Sequence, residues 1–150
     1  QGMGTTFVGM LFGGDRLALA HVGDSRAYLL RRGRLRGLTD DHSIVAELLR
    51  RHEISEADAR EHPHRHVLTR ALGVKPRTEP DLAEMTPQEG DVLVLCSDGL
   101  TTHVNDEQIA ERLMDDEDLE SAAAGLVESA NHAGGLDNIT VLLVRYEKED

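Results

Sequence analysis

Apolar residues in this chain fall into short runs whose spacing changes along its length. Thr5–Phe12 and Arg16–Val22 are two such runs joined by Gly13-Gly14-Asp15, a hairpin signal. Arg26–Arg31 and Arg34–Leu38 form a second pair around Arg32-Gly33, so the opening of the chain predicts an antiparallel meander. The spacing then becomes helical. Asp40 and Asp41 offer N-caps to Ser43–His52, in which Ile44, Val45, Leu48 and Leu49 share a face. Ser55 caps a second short helix, with Asp58 three residues on as a variant capping box. Pro63 blocks a helix where it stands, and Val67–Leu72 fits a strand or a helix equally well. Lys75–Gly90 carries three prolines and reads as loop around a strand at Asp81–Met85. Asp91–Cys96 predicts a buried central strand. Asn105–Leu113 and Leu119–His132 predict helices, the second stopped by Gly134-Gly135, and Ile139–Tyr146 predicts a last strand. Strands, then helices, then strands give an α+β fold with mainly antiparallel pairing, not a βαβ repeat.

Composition narrows the picture. At 150 residues the chain predicts one domain. With aromatics at 3% and no Trp, its core must be aliphatic. A net charge of −12, from 28 acids against 16 Lys and Arg, argues against a nucleic-acid partner, which requires a basic stripe. The acid-rich run Asp106–Glu120 reads as a solvated helical surface. A single cysteine, Cys96, excludes an internal disulfide and sits in an apolar run as a small buried residue. No stretch suits a bilayer, and a cytoplasmic setting without membrane contact is the expectation. Gln1 is not an initiator and a strand pattern starts almost at once, so a piece of a longer protein is expected.

Three aspartates stand in sharp polar turns beside apolar runs: Gly23-Asp24-Ser25-Arg26, Ser97-Asp98-Gly99-Leu100 and Leu136-Asp137-Asn138. Singly, each has a plain explanation: a local pair with Arg26 for Asp24, an N-cap for Asp98, an Asx-turn for Asp137. Together they suggest carboxylates gathered at the rim of a sheet. Three that converge in a dry site need a cation between them, and a hard one such as Mg²⁺ or Mn²⁺ suits carboxylate oxygen.

The motifs G-D-S-R-A-Y-L (Gly23–Leu29), L-T-D-D-H-S (Leu38–Ser43), L-T-R-A-L-G (Leu68–Gly73), L-C-S-D-G-L-T (Leu95–Thr101) and D-N-I-T-V (Asp137–Val141) follow an opening G-M-G-T-T (Gly2–Thr6). In that order they resemble the metal-dependent serine/threonine protein phosphatases of type 2C, the bacterial ones especially, over nearly the whole chain. The resemblance implies an antiparallel β-sandwich flanked by helices in α-β-β-α layers, with a flap-like segment at about 40–73. It implies two to three Mn²⁺ or Mg²⁺ ions and a metal-activated water that attacks phosphoserine or phosphothreonine. Asp98 and Asp137 become ligands of the catalytic metals, and Asp24 a ligand of a third, weaker ion. Phosphoprotein substrates follow as partners, in opposition to a serine/threonine kinase.

The departure from the family pattern is as informative. A D-G-x-G-G motif, whose Asp bridges both metals, does not occur in this chain, nor does an early phosphate-binding Arg. The first strands and a long helix are therefore expected to be missing from the fold. The isolated chain is expected to be nearly inactive, and to associate with the missing segment or with itself through exposed strands. A non-catalytic phosphatase-like binding module is the alternative. A kinase-like nucleotide fold is disfavoured, since no glycine-rich phosphate loop follows a strand. Among other residues, His62, His64 and His66 have the spacing of a zinc site on an extended strand, though an exposed polar loop is the plainer reading. Arg65 or Arg70 could orient a phosphorylated substrate, and His42 could transfer protons, with a helix-start role the plainer one.

Overall fold

The computed structural model describes residues 2–116, 118–135 and 137–148; Gln1, Glu117 and Leu136, all used above, lie outside the described residues. Strands β1 (Phe7–Gly13) and β2 (Arg16–Val22) form the first hairpin, and β2 pairs on its other side with β5 (Asp81–Met85). These three make one antiparallel sheet. The second sheet has the order β4-β3-β6-β7, with β3 (Arg26–Arg31), β4 (Arg34–Gly37), β6 (Val92–Cys96) and β7 (Val141–Arg145), again antiparallel throughout.

The expected single meander is thus split, because β2 and β3 belong to different sheets. The burial pattern explains why. In β2 only alternate residues, Leu17, Leu19 and His21, are buried until its last position, as on a strand with one covered face. In β3 four successive residues, Ala27 to Leu30, are buried, as on a strand covered on both faces. The first sheet is therefore an outer layer and the second a central one. Leu17, Leu29 and Leu93 fill the space between them, flanked by Met10, Leu38, Met85 and Val144.

On its other face the second sheet carries the larger core. Tyr28, Leu30, Val92, Val94 and Cys96 pack there against Leu100, Ile109, Leu113 and Leu126. Those last four come from α3 (Asp98–Thr101), α4 (Asp106–Asp115) and α5 (Leu119–His132). As the composition required, the core is almost wholly aliphatic. The outer face of the first sheet presents Leu11 and Leu82, 72% and 74% exposed.

Local signals account for most helix ends. Ser55 and Asp58 make the expected capping box ahead of α2 (Glu56–Glu61). Asn105 and Gln108 make another at α4, and Asp118 caps α5. One cap differs: Ser43, not Asp40 or Asp41, caps α1 (Ile44–Arg50) by accepting the Ala46 N–H. Asp41 is engaged elsewhere, by Arg26. Val67–Leu72 is neither strand nor helix, and is tied down by isolated bridges from Leu68 to Ser43 and from Leu72 to Thr5.

Candidate metal centre

Strand register brings the three aspartates to one rim. Arg26 of β3 pairs with Cys96 of β6, and Cys96 pairs with Val141 of β7. The start of β3, the end of β6 and the start of β7 therefore lie side by side, at the roughly 4.8 Å spacing of strands in a sheet. Asp24 lies two residues before the first of these ends, Asp98 two residues after the second, and Asp137 leads into the third.

Asp98 and Asp137 are brought close by backbone. Ser97 Oγ donates to the Asn138 carbonyl at 3.2 Å and accepts the Thr140 N–H at 3.0 Å. The Ser97 N–H donates to the Thr140 carbonyl, also at 3.0 Å. Gly99 presses on the same loop: a Cβ there would stand 2.3 Å from the Asn138 oxygen. Asp98 is not an N-cap. It is the first residue of α3, Ser97 being the cap position, and its carboxylate has no capping duty. Asp137 is exposed and accepts the N–H of the next residue, Asn138, at 2.7 Å. An Asx-turn would reach one residue further.

Asp24 occupies the crossover from the first sheet to the second. Gly23 makes the turn with φ of 105°, and a Cβ there would lie 2.5 Å from Thr6 Cγ2, so conformation and space both demand glycine. The local pair with Arg26 is not formed. Arg26 forks instead onto Asp41, Nε and Nη2 donating to its two oxygens at 2.9 and 2.8 Å, and Nη1 reaches Tyr28 Oη. Asp24 is left among like charges. Burial first, then the carboxylates of Asp98 and Asp41, push its pKa up to about 6. Asp24 and Asp98 are therefore close enough for their charges to oppose one another.

The gathering is loose. The oxygens of Asp24, Asp98 and Asp137 do not all come within 4.8 Å of one another. The donors nevertheless suit a hard divalent cation: they are carboxylate oxygens, and Asp24 and Asp98 repel each other in its absence. Asp98 and Asp137 are the residues that could hold one such ion, with Asp24 available to a further one.

A second group went unforeseen as a group. His21, His42 and Asp81 bring one ligand atom each within 4.8 Å of the others. His21 and His42 are buried and stacked, their ring centroids 4.5 Å apart, while Asp81 lies half exposed. The Asp81 carboxyl sits at about 2, lowered by hydrogen bonds from His42 and Arg70. A signal for His21 existed: it continues the core-facing alternation of Leu17 and Leu19 in β2.

The histidine run behaves as the exposed loop. His62 and His64 tilt against each other at 5.7 Å, and His62 Nδ1 accepts the His64 N–H. They form no metal cluster with His66 among the described residues. Cys96 is inert as expected: burial pushes its thiol up to about 12. A cleft of about 750 Å³ runs between Gly4–Thr6 and the 68–79 segment, with Arg70, Lys75 and Arg77 on its walls. None of the three aspartates lines it, but Thr6 links it to the rim through a 2.8 Å contact with Ser25 Oγ.

The chain as a whole is similar to known proteins. The family model described as Protein phosphatase 2C matches residues 1–139. The serine/threonine phosphatase stp of Listeria welshimeri is 48% identical over 144 residues, which is 96% of this chain and 57% of that protein. The crystal structure of the Mycobacterium tuberculosis serine/threonine phosphatase PstP/Ppp superposes with a TM-score of 0.92 at 42% identity, over 98% of this chain and 62% of that one. The PstP catalytic domain in complex with two manganese ions gives a TM-score of 0.89 at 41% identity, over 98% and 60%. The chain thus spans about three-fifths of the proteins it resembles.

Proposed function

The chain belongs to the protein phosphatase 2C family, and we propose that it is the part of a metal-dependent protein serine/threonine phosphatase that carries Asp98, Asp137 and Asp24 as ligands of Mn²⁺ or Mg²⁺. The observation that carries this reading is the register of β3, β6 and β7, which sets the three acidic turns on one rim. The relatives' names and the manganese-bound neighbour support the reaction class. A bound divalent ion supplies Lewis acidity toward a phosphoryl oxygen and toward the attacking water.

The residues of the chain have distinct parts in this. Asp98, at the end of a strand held on both sides, is a fixed donor. The Ser97 bonds and the Gly99 contact hold Asp137 beside it. Asp24 adds a carboxylate whose proton is readily lost near neutral pH. The substrates are phosphoproteins, the setting is cytoplasmic signalling opposite a serine/threonine kinase, and residues 40–73 form the flap. A full set of metal ligands requires a D-G-x-G-G segment that these residues do not contain. The chain alone binds the ions weakly and turns over little, and its bare sheet face around Leu11 and Leu82 favours association with that segment or with a second copy.

Two measurements test the reading. Calorimetric titration with Mn²⁺ should show weak binding that Asp98→Asn abolishes; no binding by the unaltered chain would remove the metal assignment. Manganese-dependent hydrolysis of an aryl phosphate should be near background for the chain alone. Robust turnover would show that its own residues make a complete site.

A further inference from the structure

We propose that His42 is a positioning residue for Asp24: it holds Gly23 at both its N–H and its carbonyl and so fixes where the Asp24 carboxylate stands at the metal rim. This rests on the reading of Asp24 as a metal ligand. Two bonds make the grip. The His42 N–H donates to the Gly23 carbonyl at 3.0 Å, and His42 Nδ1 accepts the Gly23 N–H at 3.0 Å. Gly23 is the residue with φ of 105° that turns the chain between the sheets, and it is buried. A buried residue in that conformation, with its N–H and its carbonyl both held by one partner, has little freedom left.

The tautomer of His42 follows from this partner. Gly23 N–H can only donate, so Nδ1 must carry the lone pair and the ring proton sits on Nε2. Nε2 faces Asp81 Oδ2 at 2.9 Å, and that carboxylate accepts the proton's hydrogen bond. Arg70 holds the other Asp81 oxygen at 2.6 Å. The His21 ring stacks on the His42 ring, and its own Nε2–H donates to the Asp40 carbonyl at 2.9 Å. The ring is therefore held on its face and at both nitrogens, and its backbone carbonyl takes the Thr69 N–H at 2.9 Å.

The same geometry argues against a metal among His21, His42 and Asp81, close as their ligand atoms are. Coordination by His42 would need the Nε2 lone pair, and in this tautomer Nε2 bears the proton. Placing the proton on Nδ1 would set two N–H groups against each other at Gly23. The group is a brace for backbone.

The test uses the ¹⁵N-labelled chain, with Mn²⁺ as the probe of the rim and Zn²⁺ as the probe of the His42 ring. Long-range ¹H–¹⁵N spectra of the imidazoles should show His42 neutral, with its proton on Nε2, and the Gly23 amide should exchange slowly. A proton on Nδ1, a cationic ring at neutral pH or a rapidly exchanging Gly23 amide overturns the proposal. So does a His42 nitrogen that shifts on stoichiometric Zn²⁺. Two variants separate the two sides of the ring. His42→Asn keeps an acceptor near the Nδ1 position, and His42→Gln keeps a donor near Nε2. Paramagnetic broadening of the Asp24 and Ser25 amides by Mn²⁺ should need about tenfold more ion in His42→Gln, the size seen when the partner that orients a ligand is lost. His42→Asn should stay close to the unaltered chain, and equal effects of the two variants overturn the proposal. If Mn²⁺ leaves those amides sharp in the unaltered chain, it is the metal assignment of Asp24 that fails. The tautomer and the Gly23 exchange rate then still decide the grip.

Discussion

Gly99→Ala tests whether the contact between the two ligand-bearing segments is what sets their spacing. Gly99 is helical, without a positive φ, so alanine there suffers no backbone strain of its own. The whole effect comes from one methyl group. It would stand 2.3 Å from the Asn138 oxygen, 3.0 Å from that carbonyl carbon and 3.3 Å from Ile139 Cγ1. Carbon and carbonyl oxygen ordinarily meet at roughly 3.3 Å, so the segments must part by about 1 Å. Such overpacking destabilises by about 1–3 kcal/mol. For a chain of this length each kcal/mol lowers Tm by about 2–4 °C. The displacement falls on the loop that carries Asp137, and a shift of about 1 Å in a positioned group is enough for an effect on the order of 100-fold. Urea and thermal unfolding give the first quantity, and Mn²⁺ titration of the same samples gives the second. Gly37→Ala is the control, since nothing lies within 4 Å of a Cβ at that position and its φ is not positive. If Gly99→Ala matches Gly37→Ala in both stability and Mn²⁺ affinity, the contact does not set the site.

Three further outcomes follow from the same geometry. Asp98→Asn removes the second-largest cause of the raised Asp24 pKa, so that value should fall from about 6 toward the ordinary range in carboxyl-detected NMR titrations; an unchanged value would mean that the two side chains do not face each other. Arg31 holds the buried Asp91 with bonds of 2.8 and 2.6 Å. Burial raises the Asp91 pKa, but the bonds from Arg31 and the Gln88 N–H outweigh it and leave it below the ordinary carboxylate value. A lowered folded-state pKa gives stability above the unfolded pKa of about 4 that is lost as pH falls through the folded one. Arg31→Met should therefore destabilise by about 3 kcal/mol at pH 7 in urea unfolding, with a smaller gap between variant and parent below about pH 4, whereas a pH-independent gap would contradict the pair. Lastly, Leu11→Asp with Leu82→Lys should lower the apparent mass at high concentration in light scattering if the bare sheet face drives association; a monomeric unaltered chain would dispose of that idea.

Much of the fold was legible because most strands here are short, apolar and punctuated by glycine. The capping boxes at Ser55 and Asn105 obey local rules that need no tertiary knowledge. The division into two sheets is also written in the chain, in the difference between the alternating Arg16–Val22 and the continuous Ala27–Leu30, yet hairpin logic alone reads both as one meander. Asp41 misled as a cap because its partner, Arg26, lies in another element. Val67–Leu72 resisted assignment because it is fixed by single bridges to distant residues, which leave no periodic trace. The aspartates could be singled out from their turns, but their convergence depends on the register of three strands. The His21–His42–Asp81 group was out of reach, since its members are far apart in the sequence and meet only where two sheets and a loop come together.

Strand β6 is flanked by β3 and β7 and leads through Ser97 alone into Asp98. That aspartate is therefore delivered with its conformational freedom already spent during folding, whereas Asp137 reaches the rim from an exposed turn. The entropic burden of capturing an ion falls unevenly on the two. Stiffening the turn should tighten capture more than any further reinforcement of the central strand.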